Sequence, residues 1–422
     1  MSWPEVAGDP AAEYARRLLL QHGVDVDVTE PAARRSAIES WAGSGAMALT
    51  GTPDGPPQLV AGAPATTTRG ALLALGALAA AAGLDAGQLP DERLLGERAA
   101  AMRLTRGGAI SAGGACRLLD AADGTVALTL SRDHDFDSLP ALLEVDALTD
   151  DPWTEVAVRC REVTAAAFAE RAALLGLAVG AVQPPSAEAN LLGHSGGVER
   201  PRRLASAQIL VVDLSSLWAG PLCAHLLGLL GARVIAVNSA LRPDPTAEVA
   251  PQFHRLLRHG AEAAALNLTD AGDIERLRDL LSAADIVIEA SRPRALAQLG
   301  IDAESLATTA TWMSITAYGR DSNRIGYGDD VAATAGLLGA GPVFAADAIA
   351  DPLTGTHAAV AALAQWATRR TGLVEVAMYD IARAARTPLP EATVVARDGS
   401  WYVDDGSNLI AVSDPALRVA AR

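Results

Sequence analysis

The second half of the chain alternates short apolar runs with amphipathic segments, and this alternation constrains the fold more than any other feature. The apolar, β-branched runs that predict buried strands lie at 208–214, 233–237, 264–268, 285–290, 312–318 and 373–379. Helical apolar spacing follows at 221–232 and 270–284, and further helices are predicted from about residues 330 and 353. Strands that alternate with helices form right-handed crossovers, so we expect an α/β fold with a doubly wound parallel sheet.

The first half has a mixed pattern, and a polar stretch separates the two halves. Helices are predicted at 71–82 and 153–175, with two short strands inside 113–132. This mixture predicts a smaller α+β domain within residues 1–185. Residues 186–204 are rich in Pro, Gly and polar side chains, which is typical of a linker. We therefore expect the sheet domain at 205–392 and a C-terminal tail at 393–422.

The composition argues against several classes of partner and cofactor. The net charge of −16 disfavours binding to nucleic acid or to an anionic membrane, because both need a basic surface. All 34 basic residues are arginine, so the chain has neither a Schiff-base lysine nor a P-loop lysine. The 3 cysteines lie far apart and the 7 histidines show no ligand spacing. We expect no metal site and no permanently bound cofactor.

The sequence gives no sign of a membrane or secretory location. The longest apolar runs, 71–84 and 222–237, fall short of a bilayer span, and the second contains His225 and Arg233. The first ten residues are acidic and lack the basic and apolar parts of a signal peptide. We therefore expect a cytoplasmic protein.

The first strand–loop–helix unit of the sheet domain is a candidate binding site. Loops at the carboxyl ends of parallel strands form the ligand crevice of such sheets, and a helix N-terminus offers free N–H groups to an anion. The unit has no GxGxxG motif, and Asn238 ends the second strand where a dinucleotide-binding fold favours an acidic residue. A phosphate-containing ligand other than NAD or FAD fits this pattern better.

Five segments of the sheet domain carry a more specific signal. They are VDLSSLWAGPLCAHLLGLLGARVIAVN at 212–238, ALNLT at 265–269, ADIVIEASRPRALAQLGID at 284–302, SITAYGR with GYGDDVAATAGLL at 314–338, and IADPLTG with TGLVEVAMYD at 349–380. In this order they resemble the family III CoA-transferases, the CaiB/BaiF or formyl-CoA transferase group. The resemblance implies a Rossmann-like large domain that binds coenzyme A as substrate. It also implies transfer of CoA between an acyl-CoA and a carboxylic acid, in a homodimer.

The resemblance assigns roles to single residues. The family's nucleophilic aspartate falls on Asp351, whose carboxylate would attack the thioester carbonyl and form an aspartyl intermediate. The alternative is that Asp351 only caps the helix that begins near Pro352. The positions that bind CoA in the family fall on Ser216, Leu217, Trp218, Ala219, Leu266, Ala290 and Ser291. Charge and loop position alone suggest Arg242 and Arg292 for phosphate contacts, with solvent-exposed arginine as the alternative.

Further assignments stay open at this stage. Trp218 is either a wall of the CoA site or an anchor in the core. His357 either polarises a substrate or has a structural role, and the structural role is favoured. Asp329 and Asp330 lie where the family has an acidic residue near the active site, and one of them could assist the reaction.

The chain departs from the family in the order of its parts. The segments that resemble the family's small domain, within 113–182, precede the sheet domain instead of interrupting it. Residues 51–79 also align with the stretch that ends at residue 364 at a constant offset of 285, which places Thr66 opposite Asp351. The alternative is chance similarity between two Ala-rich helices. Together the two observations indicate a permuted or trimmed fusion of two family copies.

Altered motif positions leave two other functions open. Asn238 and Asn267 replace expected acidic residues, and Ala290 with Ser291 replaces the more usual Asn-Phe. A non-catalytic CoA-binding paralogue is therefore one alternative. The other is an enzyme similar to 2-methylacyl-CoA racemase, which is disfavoured because Gly328 stands where those relatives have a histidine.

Overall fold

The computed structural model describes residues 8–183, 198 and 199, 208–290, 293–387 and 389–418. Before residue 200 the elements are α1 (Pro10–Gln21), α2 (Ala37–Gly43), α3 (Pro64–Ala81), α4 (Glu97–Met102), β1 (Cys116–Asp120), β2 (Thr125–Thr129), α5 (Asp133–Asp137), α6 (Leu139–Leu143), α7 (Pro152–Glu162), α8 (Ala165–Leu174), β3 (Ala178–Ala181) and β4 (Val198–Glu199). Short 3-10 turns lie at Met47–Leu49 and Glu92–Gly96.

After residue 207 the elements form the predicted alternation. They are β5 (Leu210–Asp213), α9 (Ala219–Leu229), β6 (Arg233–Ser239), α10 (Thr246–Val249), α11 (Pro251–Leu257), β7 (Glu262–Leu266), α12 (Ala271–Ala283), β8 (Ile286–Glu289), α13 (Pro293–Gln298), α14 (Ala303–Leu306), β9 (Thr311–Thr316), α15 (Gly328–Thr334), β10 (Leu338–Gly339), β11 (Val343–Phe344), α16 (Ala350–Ala367), β12 (Arg370–Ala377), α17 (Met378–Ala384), β13 (Thr393–Arg397), β14 (Ser400–Asp404) and β15 (Leu409–Ala411).

The main sheet has the strand order β4-β12-β9-β8-β5-β6-β7. The six strands from β12 to β7 are parallel, and β4 is antiparallel to β12 at the edge. Successive residues of β5 face opposite sides, because side chains alternate along a strand. Val211 packs in the apolar cluster that contains α9 and α16, whereas Val212 packs in the cluster that contains α12. Helices thus cover both faces, and the predicted doubly wound α/β class is confirmed.

The smaller α+β unit is also present. Strands β1, β2 and β3 form an antiparallel sheet, and Val156 of α7 and Phe168 of α8 are buried in its apolar cluster. The single helix predicted at 153–175 is two helices, because Thr164 caps a new one by accepting from the Ala167 N–H at 3.2 Å. This unit docks on α15 so closely that a Cβ at Gly180 would overlap Thr334.

The rest of the first half packs on the sheet domain. One apolar core contains Trp41 and Leu75 from the first half together with Leu222 and Leu353 from the second. The described part of the expected tail forms an antiparallel sheet, β13-β14-β15. The domain boundaries remain predictions, and the linker at 186–204 lies outside the described residues except for 198 and 199. Within the described ranges, no helix combines the length and apolarity needed to cross a membrane.

Two helix pairs repeat the same close crossing. A Cβ at Gly355 of α16 would lie 2.6 Å from the Ala219 carbonyl oxygen of α9, and a Cβ at Gly70 of α3 would lie 2.8 Å from the Ala11 carbonyl oxygen of α1. In both pairs the added Cβ would also meet the side chain three residues further along the crossed helix, which is Leu222 in α9 and Tyr14 in α1. Gly70 and Gly355 are the residues matched by the offset of 285 (355 − 70), so the internal similarity has a structural counterpart.

Candidate active site

Asp351 lies in the first turn of α16, but it does not cap that helix. The helix begins at Ala350, and the residue at the cap position, Ile349, makes no side-chain cap bond. The Asp351 carboxylate instead lies beside Gly328, at the start of α15, whose N–H lowers the pKa of this carboxyl group. The interpretation of Asp351 as the cap of a helix starting near Pro352 is therefore wrong, although its carboxylate does lie near the positive end of the α16 dipole.

The turn before Asp351 is held in a strained conformation. Ala346 and Ala348 have φ values of 56° and 43°, a region that residues with a Cβ rarely adopt. Hydrogen bonds fix both residues, since the Ala346 N–H donates to Thr50 Oγ1 at 2.9 Å and the Ala348 N–H donates to Asp329 Oδ1 at 2.7 Å. The position of the Asp351 carboxylate is therefore set by contacts from distant parts of the chain.

A second strained loop follows β5. Leu217 has a φ of 70°, and its N–H donates to the Asp244 carboxylate at 3.2 Å. The Arg258 guanidinium pairs with the buried Asp213 at the end of β5 and donates to the Ser215 carbonyl at 2.8 Å. Buried charged groups thus fix the core-facing side of this loop, and its opposite side can line a ligand site.

A cavity of about 310 Å³ lies at the carboxyl ends of β5, β8 and β9 and contains Asp351. It brings together five of the residues named from the sequence: Ser216, Leu217, Ala219, Ala290 and Asp351. The remaining walls come from the segment 315–327, from Met378 and from Arg132 of the small domain. This is the crevice expected for a doubly wound sheet, with the candidate nucleophile inside it.

Other residues named from the sequence do not line this cavity. Trp218 is 3% exposed and packs edge-to-face on Phe253 at a centroid distance of 5.0 Å, which is the core-anchor alternative. Leu266 is buried in the apolar cluster beside α12. Arg242 is exposed on the loop after β6. Their role in CoA binding remains a prediction, as it does for Ser291 and Arg292, which lie outside the described residues.

Two more aspartates, Asp329 and Asp347, act on Asp351, and the Arg98 guanidinium lies among the three carboxyl groups. Asp347 is fully buried and forms a two-point ion pair with Arg98, at 2.9 Å from Nε and 2.5 Å from Nη2. The Arg98 guanidinium also lies over the Trp218 ring, 5.4 Å from its centroid. Asp330 is buried and accepts from Thr129 Oγ1 at 2.9 Å.

The burial of these carboxyl groups changes their acidity. Burial raises the pKa of Asp351 to about 7, and the neighbouring carboxylates Asp329 and Asp347 act in the same direction. The positive charge of Arg98 and the Gly328 N–H oppose this rise. Burial also raises the pKa of Asp329 to about 6. A carboxyl group with a pKa near neutrality is unusual and is typical of functional sites.

Sequence reasoning missed the contribution of the first half of the chain. Arg98, Thr129 and Arg132 all reach the site, yet none lies in a motif of the sheet domain. Arg98 is 249 residues from its partner Asp347. No local spacing connects such pairs, so only the tertiary packing could reveal them.

His357 has the structural role that the sequence favoured. It is fully buried one and a half turns beyond Asp351, and its Nδ1–H donates to the Leu353 carbonyl at 2.6 Å. Its Nε2 accepts from the Tyr14 hydroxyl at 2.8 Å. Burial lowers the pKa of His357 to about 4, so the ring is neutral near pH 7. It joins α1 to α16.

Comparison with known proteins supports the resemblance. Residues 207–394 match the model of CoA-transferase family III. The chain is 28% identical to the human succinyl-CoA:glutarate CoA-transferase over 169 residues, which are 36% of this chain and 39% of that protein. It is 32% identical to the BbsE subunit of succinyl-CoA:(R)-benzylsuccinate CoA-transferase from Thauera aromatica over 197 residues, which are 40% of this chain and 48% of that protein.

The matches cover only part of each relative. The chain spans between about a third and a half of the length of these curated proteins. Among solved structures, a hypothetical protein from Mycobacterium tuberculosis shares 27% identity and a TM-score of 0.40, over 44% of this chain and 58% of that one. A CaiB/BaiF family protein from Brucella suis shares 21% identity and a TM-score of 0.41, over 48% and 66%. The segment 207–394 of this chain is thus similar to CoA-transferase family III.

Proposed function

We propose that this protein transfers CoA from an acyl-CoA thioester to a carboxylic acid through a covalent intermediate on Asp351. The observation that supports this most strongly is the cavity at the strand ends. It contains the Asp351 carboxylate together with Ser216, Leu217, Ala219 and Ala290, the positions that bind CoA in the family. Coenzyme A enters as a substrate and leaves on the product, so no permanent cofactor is needed.

The proposed reaction proceeds by successive exchanges at carbonyl carbons. The ionised Asp351 carboxylate attacks the thioester carbonyl and the C–S bond breaks. CoA departs as the thiolate, and a mixed anhydride between Asp351 and the acyl group remains. The thiolate then attacks the Asp351 carbonyl carbon and releases the first carboxylic acid, which leaves an aspartyl-CoA thioester. The acceptor carboxylate attacks this thioester, and the released thiolate attacks the acceptor carbonyl. The new acyl-CoA departs and Asp351 is a carboxylate again.

The local groups suit these steps. The Gly328 N–H reaches the Asp351 carboxylate and is placed to stabilise an oxyanion on that carbon. The Arg98 charge acts on the same carboxylate and favours its ionised form. Since the pKa of Asp351 is about 7, roughly half of the enzyme would carry the nucleophile at neutral pH.

The decisive experiment is covalent trapping. The protein is incubated with a panel of acyl-CoAs, treated with hydroxylamine, and digested for peptide mass mapping. We expect a hydroxamate on the peptide that contains Asp351 and none in the Asp351→Asn variant. Asp321→Asn, which changes an exposed aspartate outside the cavity lining, is the matched control and should trap normally.

Each alternative function gives a distinct result in this assay. A racemase would exchange the α-proton of a branched acyl-CoA with deuterium from solvent and would leave no adduct. A non-catalytic paralogue would bind CoA without an adduct or exchange. An adduct at any residue other than Asp351 would also contradict the proposal.

The family resemblance further leads us to infer a homodimer, and the sequence pattern leads us to infer a cytoplasmic location. Light scattering of the purified chain tests the first, since a dimer would have twice the mass of 43.3 kDa. Cell fractionation with a specific antibody tests the second.

A further inference from the structure

The cavity around Asp351 has an uneven distribution of charge. Two arginines, Arg132 and Arg324, line it, and among the described lining residues Asp351 is the only acidic one. This contrasts with the net charge of −16 for the chain. A locally positive wall in an acidic protein indicates that the cavity receives a negatively charged group in addition to the reacting carboxylate.

Arg324 is held in place yet keeps free hydrogen-bond donors. Its guanidinium stacks on the Tyr318 ring, 3.7 Å from the centroid, and its Nη2 donates to the Val179 carbonyl of β3 at 2.8 Å. These two contacts fix the plane of the group. Among the described residues Arg324 has no carboxylate partner within ion-pair distance, so Nε and Nη1 remain available to an anion.

Arg132 is oriented by its own partner. Its Nε and Nη2 donate to Asp135 Oδ1 at 2.9 and 2.5 Å, and Asp135 is 1% exposed. The guanidinium is therefore rigid, and Nη1 has no such bond to Asp135. Both arginines belong to the small-domain side of the cavity, because Arg132 follows β2 and Arg324 is bonded to β3.

The expected CoA positions come from other strand ends than the two arginines. Ser216 and Leu217 follow β5, and Ala290 follows β8, whereas Arg324 lies between β9 and α15. The same cavity, of about 310 Å³, is lined by both arginines and by Asp351. A small dianion would place one carboxylate at Asp351 and the other at the arginines.

On the basis of the proposed transfer reaction, we propose that Arg324, supported by Arg132, binds the second carboxylate of a short dicarboxylic acid. Arg324 is then a specificity-determining residue. The same contact serves the diacid as free acceptor and as the acyl group of the donor thioester, because both occupy the space next to Asp351. A monocarboxylic acid of equal length would leave the arginine wall without a partner.

The test compares acids of equal length with and without the second carboxylate. CoA transfer from a common acyl-CoA donor is measured with glutarate and with valerate as acceptors, and the donor arm compares glutaryl-CoA with valeryl-CoA. We expect the wild type to prefer the dicarboxylate in both arms. In Arg324→Met, kcat/KM for glutarate should fall about 10- to 100-fold, the usual cost of a lost hydrogen bond to a charged group, while the valerate value stays unchanged.

Matched variants separate charge from folding. Arg276→Met removes an arginine that is 75% exposed on α12, away from the cavity, and should change neither acid. Arg324→Lys keeps the positive charge but lacks the planar guanidinium with its paired N–H donors, and it should recover part of the preference for glutarate. For Arg132, the double variant Arg132→Gln with Asp135→Asn removes the buried pair together, and a smaller loss of the preference is expected.

The outcomes distinguish this proposal from the proposed function. If hydroxylamine traps no Asp351 adduct in the wild type, the transfer reaction itself is refuted. If trapping occurs equally in the wild type and in Arg324→Met, but the ratio of glutarate to valerate is the same in both, only the assignment of Arg324 is wrong. A rise in KM for every acyl-CoA, with no change in the acid preference, would place Arg324 on the CoA phosphates and also refute it.

Discussion

Ionisation of Asp351 should control the rate of the first chemical step, because only the carboxylate can attack a thioester. With a pKa of about 7, about a tenth of the protein carries this carboxylate at pH 6 and about nine tenths at pH 8. The single-turnover rate of acylation should therefore rise about tenfold between pH 6 and pH 8 and then level off. An aspartate with an ordinary pKa of about 3.9 would give a flat profile in this range.

Two substitutions should move this profile in opposite directions. Arg98→Gln removes the positive charge that opposes the rise in the Asp351 pKa, so the midpoint should move from about 7 towards about 8. Asp329→Asn removes a negative charge that contributes to the rise, so the midpoint should move below 7. The asparagine oxygen can still accept from the Ala348 N–H, which preserves the turn before Asp351.

The assay is rapid quenching of acyl-CoA with excess enzyme, followed by quantification of the hydroxamate on Asp351. Arg98→Gln leaves the buried Asp347 without its guanidinium, so the double variant with Asp347→Asn is the matched control and should show a smaller change. Asp330→Asn tests whether another carboxyl group with a pKa near 7 sets the profile, and it should leave the midpoint in place. A flat profile, or equal shifts in Arg98→Gln and Asp329→Asn, would refute the reasoning.

The glycines of the site and of the first half give two further predictions. Gly70→Ala should lower the free energy of unfolding by about 1–3 kcal/mol, because the new Cβ would lie 2.7 Å from Tyr14. Gly76→Ala in the same helix meets nothing closer than 3.9 Å and should raise the free energy of unfolding by up to about 1 kcal/mol. Urea unfolding measures both variants, and equal effects would contradict the close helix crossing at Gly70. Gly328→Ala would place a Cβ 2.3 Å from both the Ala348 carbonyl oxygen and the Asp351 carboxylate, and should lower the acylation rate about 100-fold with the fold intact by circular dichroism. A rate near that of the wild type would show that this turn and Asp351 can shift without loss of the reaction.

The sheet and the candidate nucleophile could be predicted from the sequence because both leave local signals. Buried parallel strands require continuous apolar runs, and the order of these runs gives the crossovers. A motif predicts Asp351 as the nucleophile, and its side chain lies in one cavity with Ser216 and Leu217. These residues are close in space because the carboxyl ends of parallel strands meet at one edge of the sheet.

The direction of single side chains could not be predicted in the same way. Trp218 lies in the expected loop, yet its ring packs on Phe253 in the core. Its neighbour Leu217 adopts a positive φ, and such a residue changes the face to which the following side chains point. Positive φ at a leucine has no sequence signal, because it depends on the buried charges of Asp244 and Arg258.

The two helix pairs explain why the first half of the chain matters to the site even though it lacks a nucleophile. At the position of Asp351, α3 has the buried Thr66, which cannot form a carboxylate. While α16 packs on β9 and β12, α3 borders a groove of about 560 Å³. The same half nevertheless supplies Arg98 to Asp347 and Thr50 to the strained turn. Removing it would leave a buried carboxylate unpaired beside Asp351, so we expect the first half to be a structural requirement of the candidate site.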